Sequence, residues 1–116
     1  MSRFGEMLRT QRELLGISQR SLADRIGENF SHSYIAKIES GDRVPPQNPA
    51  VLDKLSVVLQ FDRDTVYLLA SCIPGELIDM LLNKPNLMRL LRQMQQKELT
   101  NEEIDELTQI ADQMQK

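Results

Sequence analysis

Residues 19–41 contain the pattern of two short helices that cross closely. Ala23 is a small residue in the middle of the first helix, and Gly27 ends that helix. Ser31 precedes the second helix, which ends at Gly41. A small residue lets two helix axes approach, and glycine readily adopts the positive φ that a sharp exit from a helix requires. The segment therefore predicts two helices that pack at a steep angle across a short turn.

The rest of the chain also has the apolar spacing of helices. No stretch alternates apolar and polar residues with period two, so we expect no strand. Capping patterns mark helix starts, such as the capping box of Thr100 and Glu103. The predicted helices are residues 3–15, 19–26 and 32–40, a fourth that starts at Pro49, a fifth that follows Asp62, and three short helices after Pro74. The expected fold is all-α.

The residue types in the chain exclude several classes of function. The single cysteine, Cys72, rules out an internal disulfide, and with the single histidine, His32, it cannot build a zinc site of histidine and cysteine ligands. We find no nucleophile–base pair and no glycine-rich phosphate loop, so we expect no enzyme, no cofactor and no bound metal. No run reaches the roughly 18–20 apolar residues of a membrane span, and no apolar signal core follows Met1. We expect a cytoplasmic protein without a membrane partner.

The two crossing helices divide into an apolar side and a polar side. Their shared core would consist of Leu22, Ile26, Ile35 and Ile38. The outer face of the second helix would carry short or hydrogen-bonding side chains and one positive charge, on His32, Ser33, Tyr34 and Lys37. A helix of this kind fits the major groove of DNA, where such side chains contact base edges.

With these residues in place, the sequence resembles the XRE family, the phage Cro/repressor type of helix-turn-helix regulator. The resemblance covers about residues 3–70 and is carried by residues 8–12, 15–19, 22–23 and 34–41, with 49–59 and 61–69 similar to the family's fourth and fifth helices. It implies a five-helix, lambda-repressor-like DNA-binding domain over residues 1–72. C-terminal helices over residues 73–116 would follow as a dimerisation or regulatory segment.

The resemblance also implies roles for individual residues. Base contacts fall on Gln19, His32, Ser33 and Lys37. Contacts to phosphate or backbone fall on Ser31, Tyr34, Ser40 and Arg43, and Tyr34 could instead reach a thymine methyl. A departure from the family's pattern, the length of the turn before the helix at residues 32–40, adds Asn29 to these contacts. Arg12 and Glu39 match a structural ion pair. The turn Glu28-Asn29-Phe30 is longer than in the shortest members, which leaves the register of the base contacts open by one position. We expect Phe30 to fill the core.

The C-terminal segment differs from the first in charge. Residues 1–70 hold nine basic and nine acidic residues, whereas residues 71–116 hold five basic and eight acidic residues. Because an acidic surface repels DNA, we expect the DNA-binding surface in the first part. The wide apolar stripes of the C-terminal helices predict a homodimer interface, with packing on the first domain as the alternative. The expected interface residues are Leu87, Leu91, Met94, Ile104, Leu107, Ile110 and Met114.

These observations predict a sequence-specific regulator of transcription that binds double-stranded DNA. We expect a dimeric repressor, of a bacterium or phage, that reads a palindromic operator with the helix near residues 32–40 and is associated with the nucleoid. A regulatory protein could act on the C-terminal helices. The alternative is an antitoxin or partner-binding module that autoregulates its operon.

Overall fold

A computed structural model describes residues 2–114 of the chain. Within these residues the structure contains eight α-helices and no strand. The helices are α1 (Arg3–Leu14), α2 (Gln19–Ile26), α3 (His32–Ser40), α4 (Pro49–Val58), α5 (Arg63–Leu69), α6 (Gly75–Asn83), α7 (Pro85–Gln96) and α8 (Asn101–Gln113). The all-α fold expected from the sequence is confirmed. No helix of residues 2–114 is long and apolar enough to cross a membrane.

The chain divides into two units, one ending at Gly75 and the other beginning at Glu76. In the first unit, α3 packs on α1 and α2, α2 also packs on α4, and α5 packs on α4 and α1. The four residues predicted as the shared core of the crossing helices, Leu22, Ile26, Ile35 and Ile38, are at most 1% exposed. The first unit therefore has a core of its own, formed by all five of its helices.

Side-chain caps start the helices of the first unit where the sequence predicts them. The Ser18 hydroxyl accepts a hydrogen bond from the Ser21 amide at 3.0 Å, and Ser31 accepts one from the Tyr34 amide at 3.1 Å. Such caps satisfy backbone N–H groups that have no partner within the helix. Asn48 caps α4, which begins with a proline. The starts of α2, α3 and α4 are thus determined by local hydrogen bonds.

The turn between α2 and α3 has an unusual backbone. Gly27 has φ 66° and ψ −139°, and Glu28 and Asn29 follow with φ of 53° and 62°. Asparagine tolerates this left-handed region, and the conformation at Gly27 is open almost only to glycine. Phe30 then enters the core with 3% of its surface exposed, as expected from the sequence. Lys54 of α4 donates to the Glu28 carboxylate at 3.1 Å and so ties the turn to α4.

A polar cluster joins α4 to α5. One carboxylate oxygen of Asp53 accepts from the Tyr67 hydroxyl at 2.7 Å and from Arg63 Nε at 2.9 Å. The Arg63 guanidinium also lies 4.9 Å from the centroid of the Tyr67 ring. The hydrogen bond from Tyr67, followed by that from Arg63, lowers the pKa of Asp53 below its ordinary value. The ionised cluster therefore helps to fix α5 against α4.

In the second unit, the helices form without a core. Thr100 and Glu103 make both hydrogen bonds of the predicted capping box at the start of α8. No residue of α6, α7 or α8 is buried. No close packing like that of the first unit joins these three helices to one another within the described residues. Large apolar side chains such as Leu82, Ile110 and Met114 stay exposed over half or more of their surface.

At Gly5 the backbones of α1 and α3 approach closely, which gives a first prediction. A Cβ atom at Gly5 would lie 2.5 Å from the Ile38 carbonyl oxygen, which is backbone and cannot rotate away. We expect Gly5→Ala to lower the free energy of unfolding by about 1–3 kcal/mol, despite the higher helix propensity of alanine. Chemical denaturation followed by circular dichroism measures this change.

Gly75→Ala is the matched control, because a Cβ atom at that position would meet nothing within 4 Å and its φ is not positive. We expect this variant to unfold at the same denaturant concentration as the wild type or a slightly higher one. Equal stability of the two variants would contradict a close approach of α1 and α3 at Gly5.

Candidate nucleic-acid interface

The outer face of α3 presents the polar side chains that the sequence placed there. His32, Ser33 and Lys37 are exposed, and within residues 2–114 their side chains make no hydrogen bond or ion pair. Ser31 begins the helix, and its hydroxyl is occupied as the N-cap. The exposed donors and acceptors of the face are therefore available to a ligand.

A recess of about 270 Å³ lies beside α3 and brings five of the predicted contact residues together. Its lining consists of Ser31, Ser33, Tyr34, Lys37 and Arg43. Two cationic groups and two serines thus surround one opening. Ser31 and Ser33 lie at the start of α3, where the helix dipole favours a negative charge, whereas Lys37 lies in its last turn and Arg43 follows the helix. This combination of groups suits an anionic oxygen such as that of a phosphate.

The predicted residues of the turn line a second, more open recess of about 410 Å³. Asn29 and His32 lie on it together with Asp24, Ser31 and residues of the turn. The positive φ of Asn29 is part of the conformation that carries the chain from α2 to α3. The structure therefore brings Asn29 next to the start of α3, where the longer turn made it a candidate.

Gln19 and Ser40 lie in a third recess, of about 280 Å³, on the side of α3 that faces α1. The Gln19 amide donates to the Glu39 carboxylate at 3.2 Å, and the Ser40 hydroxyl donates to the Lys37 carbonyl at 3.1 Å. Both side chains are thus partly engaged within the protein. The predicted site residues therefore line three recesses around α3, of which the first two share Ser31.

Arg12 and Glu39 form a bidentate ion pair between α1 and α3. The Nε and Nη2 atoms of Arg12 donate to the two oxygens of Glu39 at 2.8 and 2.9 Å, and Nη1 donates to the Ile17 carbonyl at 2.9 Å. The two side chains are 12% and 6% exposed. The hydrogen bond to Glu39 raises the pKa of Arg12 further above its ordinary value. The Arg12 guanidinium therefore remains charged, and the two paired side chains are largely shielded from water.

Tyr34, a predicted backbone contact, also has partners inside the protein. Its ring meets the Phe30 ring edge to face, with 5.3 Å between centroids and 68° between planes. Its hydroxyl donates to the Val44 carbonyl at 3.3 Å. The side chain therefore lies between the core and the loop that carries Arg43.

Two further residues lie near the candidates, outside the sets assigned to base and phosphate contacts. Arg9 lines the third recess and forms an ion pair with Glu13 at 3.1 Å, which the i, i+4 spacing of the two residues would have suggested. Lys54 holds the turn through Glu28 and through the Ile26 carbonyl at 3.2 Å. No local pattern could reveal these contacts of Lys54, because they join residues far apart in the chain.

A family model described as a helix-turn-helix domain matches residues 3–69, from the first residue of α1 to the last of α5. The chain belongs to the XRE/Cro-type helix-turn-helix family. Comparisons with curated proteins and with solved structures gave no match. The helix-turn-helix domain indicates a DNA-binding regulator, and members of this family are typically not enzymes.

The ion pair of Arg12 and Glu39 gives a prediction for the helix-turn-helix domain. Glu39→Gln keeps the shape of the side chain but leaves the Arg12 guanidinium nearly buried without its counter-charge. Such a loss costs roughly 3–5 kcal/mol, so we expect the free energy of unfolding to fall by about 3 kcal/mol. Urea denaturation monitored by circular dichroism is the measurement.

Glu13→Gln is the matched control. Glu13 pairs with Arg9 on the surface, where both side chains are more than half exposed. An exposed helical pair of this kind contributes about 0.3–0.5 kcal/mol. If both substitutions changed the stability by the same small amount, a structural role of the Arg12–Glu39 pair would be contradicted.

Proposed function

We propose that the chain is a sequence-specific regulator of transcription that binds double-stranded DNA as a dimeric repressor. The observation that carries this proposal is the exposed polar face of α3, flanked by Lys37 and Arg43, on a domain of the helix-turn-helix family. A dimer would read a palindromic operator by inserting α3 of each copy into successive major grooves, about 34 Å apart. Bound at a promoter, it would block the polymerase.

Within this proposal, the site residues divide by the part of DNA that they contact. Base edges would be read by Gln19, His32, Ser33 and Lys37. Phosphates and sugars would be contacted by Asn29, Ser31, Tyr34, Ser40 and Arg43. The lysine ammonium suits the acceptors of guanine, and a serine hydroxyl can donate to or accept from most bases. Because the charges of residues 1–70 cancel, specificity would depend on these local contacts more than on a general attraction to DNA.

The second unit supports a homodimer. Isolated helices of 9 to 13 residues are marginally stable in water, and the apolar side chains of α6, α7 and α8 are not buried. The sequence of α7 contains basic residues and no acidic one, whereas the sequence of α8 contains acidic residues and no basic one. A second copy would therefore offer both an apolar face and the opposite charge. The proposed interface residues are Leu87, Leu91, Met94, Ile104, Leu107, Ile110 and Met114.

The proposed organisation is a DNA-binding domain over residues 1–72 and a dimerisation or regulatory segment over residues 73–116. Binding to chromosomal DNA would place the protein on the nucleoid, in the cytoplasm. A regulatory protein that disturbs the second unit would separate the two copies and release the operator.

The exposed apolar side chains of the second unit also support a second candidate function. In this alternative the segment binds a different protein, as an antitoxin binds a toxin, and the helix-turn-helix domain autoregulates the operon. A stable complex of fixed stoichiometry with the product of a neighbouring gene would favour this alternative over a homodimer.

We expect the purified protein to enrich a palindromic sequence from random duplex DNA. The double variant Ser33→Ala/Lys37→Ala should bind the enriched DNA at least tenfold more weakly, because each lost base contact is worth about 1–3 kcal/mol. Gel shift and fluorescence anisotropy at several salt concentrations give the dissociation constants.

The control variant Arg3→Ala/Thr10→Ala removes one cation and one hydroxyl from a groove lined only by α1, α5 and the residue Phe61. We expect it to bind the enriched DNA like the wild type. The absence of enrichment even at low salt would contradict sequence-specific DNA binding, and equal losses in the two double variants would contradict recognition by α3.

We also expect a chain that ends at Gly75 to be monomeric where the full chain is dimeric. Residues up to Gly75 contain the whole core of the first unit, so the shortened chain should keep its helical spectrum and cooperative unfolding. Sedimentation equilibrium of both chains over a hundredfold range of concentration is the measurement. A dimer of the shortened chain would place the interface in the first unit.

A further inference from the structure

We propose that Tyr34 is a positioning residue that holds Arg43 against α3, through the hydrogen bond between the Tyr34 hydroxyl and the Val44 carbonyl. This inference rests on the proposed function, because Arg43 matters here as a contact to DNA. For Tyr34 this indirect role replaces the direct contact to phosphate or sugar that the family resemblance implies and that the proposed function includes.

The loop that carries Arg43 is attached to α3 at its beginning. The amides of Asp42 and Arg43 both donate to the Lys37 carbonyl, at 2.8 and 3.2 Å. Gly41 has the positive φ of 91° that lets the chain turn back on the end of α3. These bonds fix the backbone up to the Arg43 amide.

Beyond Arg43 the loop is held by one hydrogen bond and by the packing of Pro46, which is buried. Within the part of the chain that the structure describes, the bond from Tyr34 to the Val44 carbonyl is the only hydrogen bond made by residues 44–47. Two of these residues, Pro45 and Pro46, have no N–H group to donate. The Val44 side chain is 77% exposed and adds little packing. Between Arg43 and the buried Pro46, the Tyr34 hydroxyl therefore supplies the hydrogen bond that holds the backbone.

The hydroxyl of Tyr34 is itself held in place. The tyrosine ring packs edge to face on Phe30, which is almost completely buried in the core. An aromatic pair in this arrangement keeps the ring orientation well defined. The core thus fixes Phe30, Phe30 orients Tyr34, and Tyr34 holds the loop.

Arg43 lies between the two attachments and lines the recess that Lys37 and Ser33 share. It forms no ion pair within residues 2–114, so its guanidinium is available to a phosphate. Ordering a loop on binding costs conformational entropy. A loop held at both sides of Arg43 would lose less of this entropy when the side chain contacts DNA.

Tyr34→Phe tests the inference, since it removes the hydroxyl and keeps the ring on Phe30. We expect about two- to threefold weaker binding to the enriched operator DNA, the low end for one hydrogen bond, because this bond is long and exposed. In the double variant Tyr34→Phe/Arg43→Ala, binding should be no weaker than in Arg43→Ala alone. Tyr34→Phe/His32→Ala is the control pair, in which the two effects should multiply because His32 lines the second recess, which neither Tyr34 nor Arg43 lines.

If the effects of Tyr34→Phe and Arg43→Ala multiplied, Tyr34 would act on DNA by itself and the inference would be overturned. A second measurement does not depend on DNA. The backbone NMR order parameter of Val44 should fall in Tyr34→Phe while the midpoint of thermal unfolding stays close to that of the wild type. An unchanged order parameter would also overturn the inference. Failure of the wild type to bind any DNA would contradict the proposed function, and the order parameter would still decide the role of Tyr34.

Discussion

The buried side chain of Glu39 connects α1, α2 and α3, the last of which carries the candidate DNA-binding face. It accepts two hydrogen bonds from Arg12 of α1 and one from Gln19 of α2, and it belongs to α3 itself. Burying an ion pair is expensive, and an apolar contact of the same volume could provide as much stability. The ion pair also restricts orientation, because its two parallel hydrogen bonds fix the rotation of α3 about its axis. That rotation determines which side chains of α3 face outward.

The turn between α2 and α3 adds a second constraint on the same helix. Gly27 permits the sharp exit from α2, and three residues later Phe30 fills the core. Tyr34 then packs on Phe30 and reaches the loop after α3. The turn before α3 is thus linked to the loop after α3 through the packed rings of Phe30 and Tyr34. A shorter turn would lack the ring at Phe30, and the support for Tyr34 would have to come from elsewhere.

Local sequence signals predicted the helices, whereas the features that the sequence did not predict depend on contacts between distant residues. Serine caps, a proline at the start of α4 and a capping box at α8 act within four residues, so the sequence reveals them directly. The polar side of α3 follows from helical periodicity in the same way. The sequence does not predict how the candidate residues are distributed over the three recesses, because that distribution depends on how α1 and two loops lie beside α3. The bonds from Lys54 to the turn and from Tyr34 to Val44 likewise join segments that no local pattern relates.

The helices of the second unit form without burying a side chain, so the source of their stability has to be explained. A free energy of folding comes mainly from apolar burial, and helices of this length gain little from hydrogen bonds alone. If two copies supply that burial to each other, the helices and the dimer form together. The two DNA-binding domains would then be linked only while the second units are folded, and each would raise the effective concentration of the other at the operator. Occupancy of the operator would therefore respond steeply to protein concentration and to any partner that competes for the apolar faces of α7 and α8.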